Sequence, residues 1–117
     1  MIDDSDRVRL RHMLDAARRA VRFAEGRSRE ELESEDDPLA DALIRLVSLI
    51  GEAANQVSPA VQTELHDVPW SDVIGMRNRL IHAYFDLNLD ILWATVQDSL
   101  PSLIESLSPV LAESEPD

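Results

Sequence analysis

Apolar residues recur at steps of three and four along nearly the whole chain, the spacing that lines up side chains on one face of an α-helix. Leu10, Met13, Leu14, Ala17, Val21 and Ala24 form the first stripe and predict a helix over about residues 5–25, stopping near Gly26. Ser28-Arg29-Glu30-Glu31 has the pattern of a capping box and predicts one short turn, followed by a solvated acidic connector from Glu33 to Asp37. Asp37 as N-cap and Pro38 at the first helical position open a second long helix, with Leu39, Leu43, Leu46, Val47, Ile50, Ala53, Ala54 and Val57 facing inward. Ser58-Pro59 repeats that start signal for a short helix ending near His66, and Pro69 opens another over about residues 69–84. Asn88 caps the last helix, whose stripe is Leu89, Leu92, Val96, Leu100, Leu103, Ile104, Leu107 and Leu111. Pro101 should kink it, since the ring removes the hydrogen bond to the carbonyl of Gln97. No strand alternation and no internal repeat stand out. These elements add up to an all-α antiparallel bundle of four main helices plus short ones over residues 1–111, with an acidic, frayed tail at 112–117.

A chain of 117 residues suffices for one domain and one core. Only five residues are Phe, Trp or Tyr, so that core must be built from Leu, Ile, Val and Ala. The absence of cysteine excludes disulfides, thiolate nucleophiles and thiolate metal sites. No apolar run is long enough to span a membrane, and the opening Met-Ile-Asp-Asp-Ser-Asp is acidic where a signal peptide would be basic, so a cytoplasmic protein is expected.

The net charge of −12 argues against nonspecific binding of nucleic acid, which depends on an excess of basic residues. The charge is unevenly spread. Residues 1–29 hold eight Arg against five acids, or +3, while residues 30–117 hold three Arg against eighteen acids, or −15. Every basic residue other than histidine is arginine, a compositional bias from which only Arg77 and Arg79 are singled out. So acidic a chain also suits a regular partner with a basic surface.

The densest chemistry lies in Arg77-Asn78-Arg79-Leu80-Ile81-His82-Ala83-Tyr84. Taking Val73, Ile74, Leu80, Ile81 and Tyr84 as the apolar stripe, Arg77 falls mid-arc, where a buried aliphatic residue is expected, and His82 lies on its flank. A guanidinium there needs a partner, because it cannot shed its charge. Spacing leaves two readings open, a cation that holds phosphate or a bridge to Glu52 or another carboxylate of the bundle. Metal-independent RNA cleavage needs a base for the ribose 2′-hydroxyl, an acid for the leaving oxygen and a cation for the charge developing on phosphorus. Histidine suits the first two roles and arginine the third. One chain supplies one such histidine, so a homodimer with two motifs at one cleft would complete the set. Asn78 could orient His82 or donate to the phosphate, and the phenol of Tyr84 could pack, bond to a phosphate or accept a group as a nucleophile. His12 and His66 stand alone in polar settings and are expected to be solvated. No pair of histidines or carboxylates has metal-ligand spacing, and no glycine-rich phosphate loop is present. Gly51 and Gly75 are expected to serve close helix or subunit approach, Gly75 alternatively leaving room for a ligand.

Residues Pro69 to Phe85, Pro-Trp-Ser-Asp-Val-Ile-Gly-Met-Arg-Asn-Arg-Leu-Ile-His-Ala-Tyr-Phe, resemble the signature stretch of the HepT toxins of the HEPN superfamily. Ile50-Gly51-Glu52-Ala53-Ala54 upstream and Trp93 with Val96-Gln97-Asp98-Ser99-Leu100-Pro101 downstream extend the likeness to about residues 5–108. The resemblance implies a HEPN-type bundle that dimerises around a shared cleft, and a metal-independent RNase toxin without cofactor, acting on RNA. It implies catalytic roles for Arg77 and His82, supported by Asn78 and Arg79. It further implies neutralisation by a minimal nucleotidyltransferase antitoxin that transfers AMP from ATP to Tyr84. A noncatalytic HEPN module that binds a nucleotide or a nucleotidyltransferase is the alternative. Members often read Arg-Asn-Leu-Glu ahead of the Ile-Gly-Glu-Ala segment, whereas here Arg45 is followed by Leu46-Val47-Ser48.

Overall fold

The computed structural model describes residues 2–80 and 88–114, the side chains of Glu113 and Ser114 apart. Its elements are α1 (Asp4–Ala24), a 3-10 turn (Arg29–Glu33), α2 (Leu39–Asn55), α3 (Pro59–Glu64), α4 (Trp70–Ile74), α5 (Met76–Leu80), α6 (Leu89–Ala94), a π-helical turn (Thr95–Ser99) and α7 (Leu100–Ser114). Among the described residues the protein is all-helical, as the periodicity requires.

Helix α1 is the centre of the bundle and packs against both α2 and α7. Its inward face carries Leu10, Met13 and Leu14 together with Ala16, Ala17, Ala20 and Ala24, and the alanines let the neighbouring helices come close. Helices α2 and α7 each run antiparallel to α1. Asp6 at the start of α1 reaches Ser58 just past α2, and Arg27 just past α1 reaches Asp37 ahead of α2. Arg18, earlier in α1, bonds to Ser108, while Val21 and Ala24 at its end line a groove with Val96 and Pro101 around the start of α7. Helices α4 and α5 pack on α2 from another side. The molecule is 19 Å thick along its shortest axis, about two helix diameters.

The start and stop signals work through identifiable hydrogen bonds. The Asp3 carboxylate accepts from the Asp6 N–H at 2.8 Å to open α1, and Gly26 closes it at φ +72°, where a Cβ would be strained. Asp37 accepts from the Leu39 N–H at 3.0 Å, Ser58 from that of Val61 at 3.4 Å and Asn88 from that of Ile91 at 3.0 Å. Ser58 does more than cap. Its N–H and hydroxyl both donate to the buried carboxylate of Asp6 at 2.8 Å, tying α3 to α1.

Two expectations are corrected, and two further segments gain detail. The single helix over 69–84 is broken at Gly75 into α4 and α5, and its last residues lie outside the described ones. The final helix is not simply kinked at Pro101. A π-helical turn precedes it, with Leu100 donating to the carbonyl of Thr95, and this wider turn accommodates the proline that cannot donate. The chain beyond 111 is helical as far as Ser114, and residues 115–117 of the expected frayed tail lie outside the described ones. The acidic connector is solvated but tied down. Arg27 pairs with Glu31 and Asp37, while Arg29 bonds to Glu33 at 2.6 Å and to Asp90 of α6 at 2.7 Å. These carboxylates hold both guanidinium groups above the ordinary arginine range, Glu31 contributing most at Arg27 and Asp90 most at Arg29.

Gly51 explains how α2 can carry α4. A Cβ at Gly51 would sit 3.2 Å from the Ile74 carbonyl oxygen and 3.4 Å from that of Val73, both backbone atoms. Close helix approach is therefore its role, as the sequence suggested. Gly51→Val should push α4 and α5 away from α2 and cost about 1–3 kcal/mol. Urea unfolding is the check, and an unchanged midpoint would show that the contact carries no energetic weight.

Candidate functional site

The motif begins on α5, a single turn and a half whose inward residues are Met76 and Leu80. The Gly75 N–H still bonds to Ser71, and Arg79 bonds back to the Gly75 carbonyl at 3.2 Å, so backbone pairing continues across the break. Arg77, Asn78 and Arg79 all face solvent.

The expectation that Arg77 occupies a buried, mid-stripe position is thus corrected. The stripe that counts is Val73, Met76 and Leu80, all buried, whereas Ile74 is only half-buried. Met76 draws the centre of the stripe away from Arg77, which stands about 100° round the helix from it. Among the described residues no carboxylate pairs with Arg77, so the bridge to Glu52 does not form and Glu52 is itself exposed. The Arg77 side chain is left exposed to solvent.

Arg79 is placed differently. Its Nη1 lies 3.8 Å from Asp72 Oδ1, and it lines a groove of about 300 Å³ between α4, α5 and α7 with Asp98, Ser99, Ser102 and Ser106. A Cβ at Gly75 would lie 3.3 Å from the Ser71 carbonyl oxygen, a tight contact with backbone, and at an ordinary 3.6 Å from that same Nη1.

His82 and Tyr84 lie outside the described residues. The two ends of their segment are described, and they are joined: the Asn88 N–H donates to the Leu80 carbonyl at 2.7 Å. The last turn of α5 and the cap of α6 are thereby held side by side, and Leu80 and Leu92 beneath them are fully buried.

A family model described as ribonuclease HepT-like matches residues 13–110. The chain belongs to the HepT-like ribonuclease family. Curated relatives agree. A protein of Caldanaerobacter subterraneus subsp. tengcongensis, named as a candidate RNase, is 31% identical over 102 residues, covering 87% of this chain and 90% of its own. A probable ribonuclease HepT of Thermococcus cleftensis is 43% identical over 63 residues, 53% of this chain and 56% of that one. A candidate RNase of Methanocaldococcus jannaschii is 36% identical over 62 residues, 53% and 57% of the two chains. No solved structure matches the chain.

Among the described residues of this HepT-like chain, no group of three or more His, Asp or Glu is placed to hold a metal ion, and no helix is long and apolar enough to cross a membrane. His66 is exposed, 3.6 Å from Asp67. His12 is also exposed, but it is not isolated. It lines a groove of about 370 Å³ between α1 and α2 with Arg9, Arg19, Leu46, Leu49 and Gln56. The sequence signal for this groove was the spacing of Arg9, His12 and Arg19, three and seven residues apart and so on one side of α1, next to the buried Ala16.

Proposed function

We propose that this HepT-like protein is a metal-independent RNase toxin of a toxin–antitoxin pair. The observation that carries the proposal is Arg77, exposed and without a described carboxylate partner, standing five residues before His82 in a chain of this family. The 2′-oxygen attacks phosphorus as its proton passes to an imidazole. The P–O5′ bond then breaks, with the leaving oxygen protonated by a second imidazole, and a 2′,3′-cyclic phosphate remains. Arg77 stabilises the charge that builds on the non-bridging oxygens. Asn78 orients His82 or donates to the phosphate, and Arg79 supports from the neighbouring groove. Two histidines are needed and each motif brings one, so the active form is a two-fold homodimer with both motifs at one cleft. The names of the relatives support RNA as the substrate.

Neutralisation proceeds by AMP transfer to Tyr84 from a minimal nucleotidyltransferase. The phenol oxygen forms a bond to the α-phosphorus of ATP, the α–β anhydride breaks, pyrophosphate leaves and the phenol proton is released. The acidic charge, −12 overall, suits a protein partner that presents a basic surface. It also favours the second reading, a noncatalytic module that only binds such a partner. Purified protein incubated with single-stranded RNA decides between them: the toxin cleaves and the module does not. Cleavage should persist undiminished in excess EDTA, and its loss there would remove the metal-independent mechanism.

A further inference from the structure

We infer that the groove between α1 and α2 is a track for single-stranded RNA. The inference rests on the ribonuclease reading and adds where the substrate lies. The −12 charge of the chain hides a segment, residues 1–29, that is net positive by three, and α1 displays that charge on the surface. Arg9, His12 and Arg19 line the groove, and among the described residues no carboxylate pairs with Arg9 or Arg19. Arg27 and Arg29, by contrast, are consumed by ion pairs. On α1 itself, Arg7 and Arg11 pair with Asp4 and Asp15 and Arg18 bonds to Ser108; of the arginines left without a described carboxylate partner, Arg9 and Arg19 stand at the groove and Arg22 stands apart from it.

Its other features fit a nucleic acid better than a small anion. The floor is apolar, with Leu46, Ala53 and Leu49, and Leu49 is 39% exposed. Beyond one end stands Phe23, 40% exposed, with the Arg19 guanidinium 5.6 Å from its ring centroid. An exposed ring steadied by a cation is a platform on which a base can stack whatever its identity. Glu52 and Asp15 at the groove would repel a bare phosphate, but carboxylates accept hydrogen bonds from ribose hydroxyls and base amino groups. From Arg9 to Phe23 the helix rises about 21 Å at 1.5 Å per residue, room for roughly six nucleotides at 3.4 Å spacing.

The test uses the full chain carrying His82→Ala, so that RNA stays intact, and a labelled ten-nucleotide single-stranded RNA. Fluorescence anisotropy is measured from 50 to 300 mM salt with and without Arg9→Gln plus Arg19→Gln, and separately with Phe23→Ala. Each lost phosphate contact should reduce the slope of log affinity against log salt by about 0.7, so the double variant should lose about 1.4. Phe23→Ala should weaken binding by roughly five- to a hundredfold with the slope unchanged. These side chains are at the surface, and circular dichroism should show the same helix content. An unchanged slope in the double variant overturns the track, and if the parent chain still cleaves RNA the ribonuclease reading survives. A parent chain that neither cleaves nor binds RNA overturns both. A shift in light-scattering mass on Arg9→Gln plus Arg19→Gln would make the groove a protein interface and overturn the track as well.

Discussion

Arg77→Ala and His82→Ala should each reduce RNA cleavage by on the order of a hundredfold or more, with the bundle still folded. The expectation follows from where Arg77 stands. It is exposed on α5, no described carboxylate pairs with it, and Met76 and Leu80 hold the helix in the core without its help. Removing its side chain takes away no packing, so the urea midpoint should move by no more than about 0.5 kcal/mol equivalent. If the cation meets the phosphate only as charge builds up, its removal should lower turnover more than RNA affinity. Arg77→Lys tests this further. A lysine keeps the charge but loses the planar fork, and should restore only part of the rate. Cleavage by His82→Ala protein at near wild-type rate would remove the catalytic assignment. An equal loss of stability and activity in Arg77→Ala would instead make Arg77 a structural residue.

The second large effect concerns Tyr84. Incubation with the cognate nucleotidyltransferase and ATP should add AMP at this residue and silence the RNase, and Tyr84→Phe protein should resist both. A phosphodiester at that position adds bulk and a negative charge two residues beyond His82. Arg77 has no described carboxylate to hold it back, so it can pair with that phosphate and be lost to RNA. Inhibition by occupancy needs no refolding, and the helix content should stay as it was. Mass spectrometry of proteolytic fragments locates the adduct. Modification confined to another residue, or a Tyr84→Phe protein that is still modified and still silenced, would overturn the proposal.

Much of this was legible in the residues themselves, because it depended on neighbours in sequence. The stripe Leu10, Met13, Leu14, Ala17 buries as its spacing demands, and Asp37, Ser58 and Asn88 start helices through hydrogen bonds reaching no more than three residues along the chain. Such contacts are set by helical geometry before any tertiary packing. Membership of the HepT-like ribonuclease family was likewise readable from the stretch around Arg77, and the match over residues 13–110 agrees with it.

What failed or was missed depended on residues far apart. Arg77 was expected inside because a continuous helix and the stripe through Ile74 put it there, but Gly75 interrupts the helix and Met76, not Arg77, meets α2's side of the core. Gly75 carries no message about which way the next turn will face. That is decided by which side chains the neighbouring helices can cover. Asp6 reaching Ser58, Arg29 reaching Asp90 and Arg9 sharing a groove with Leu49 each join positions forty or more residues apart. The sequence by itself determined that this chain would be a helical bundle, where its helices begin and which family it joins, because those properties are local or carried by a contiguous motif. Only the tertiary structure decided which arginines are spent on ion pairs and which are left to meet an anion, because a charge is neutralised by whatever the fold brings within about 4 Å of it.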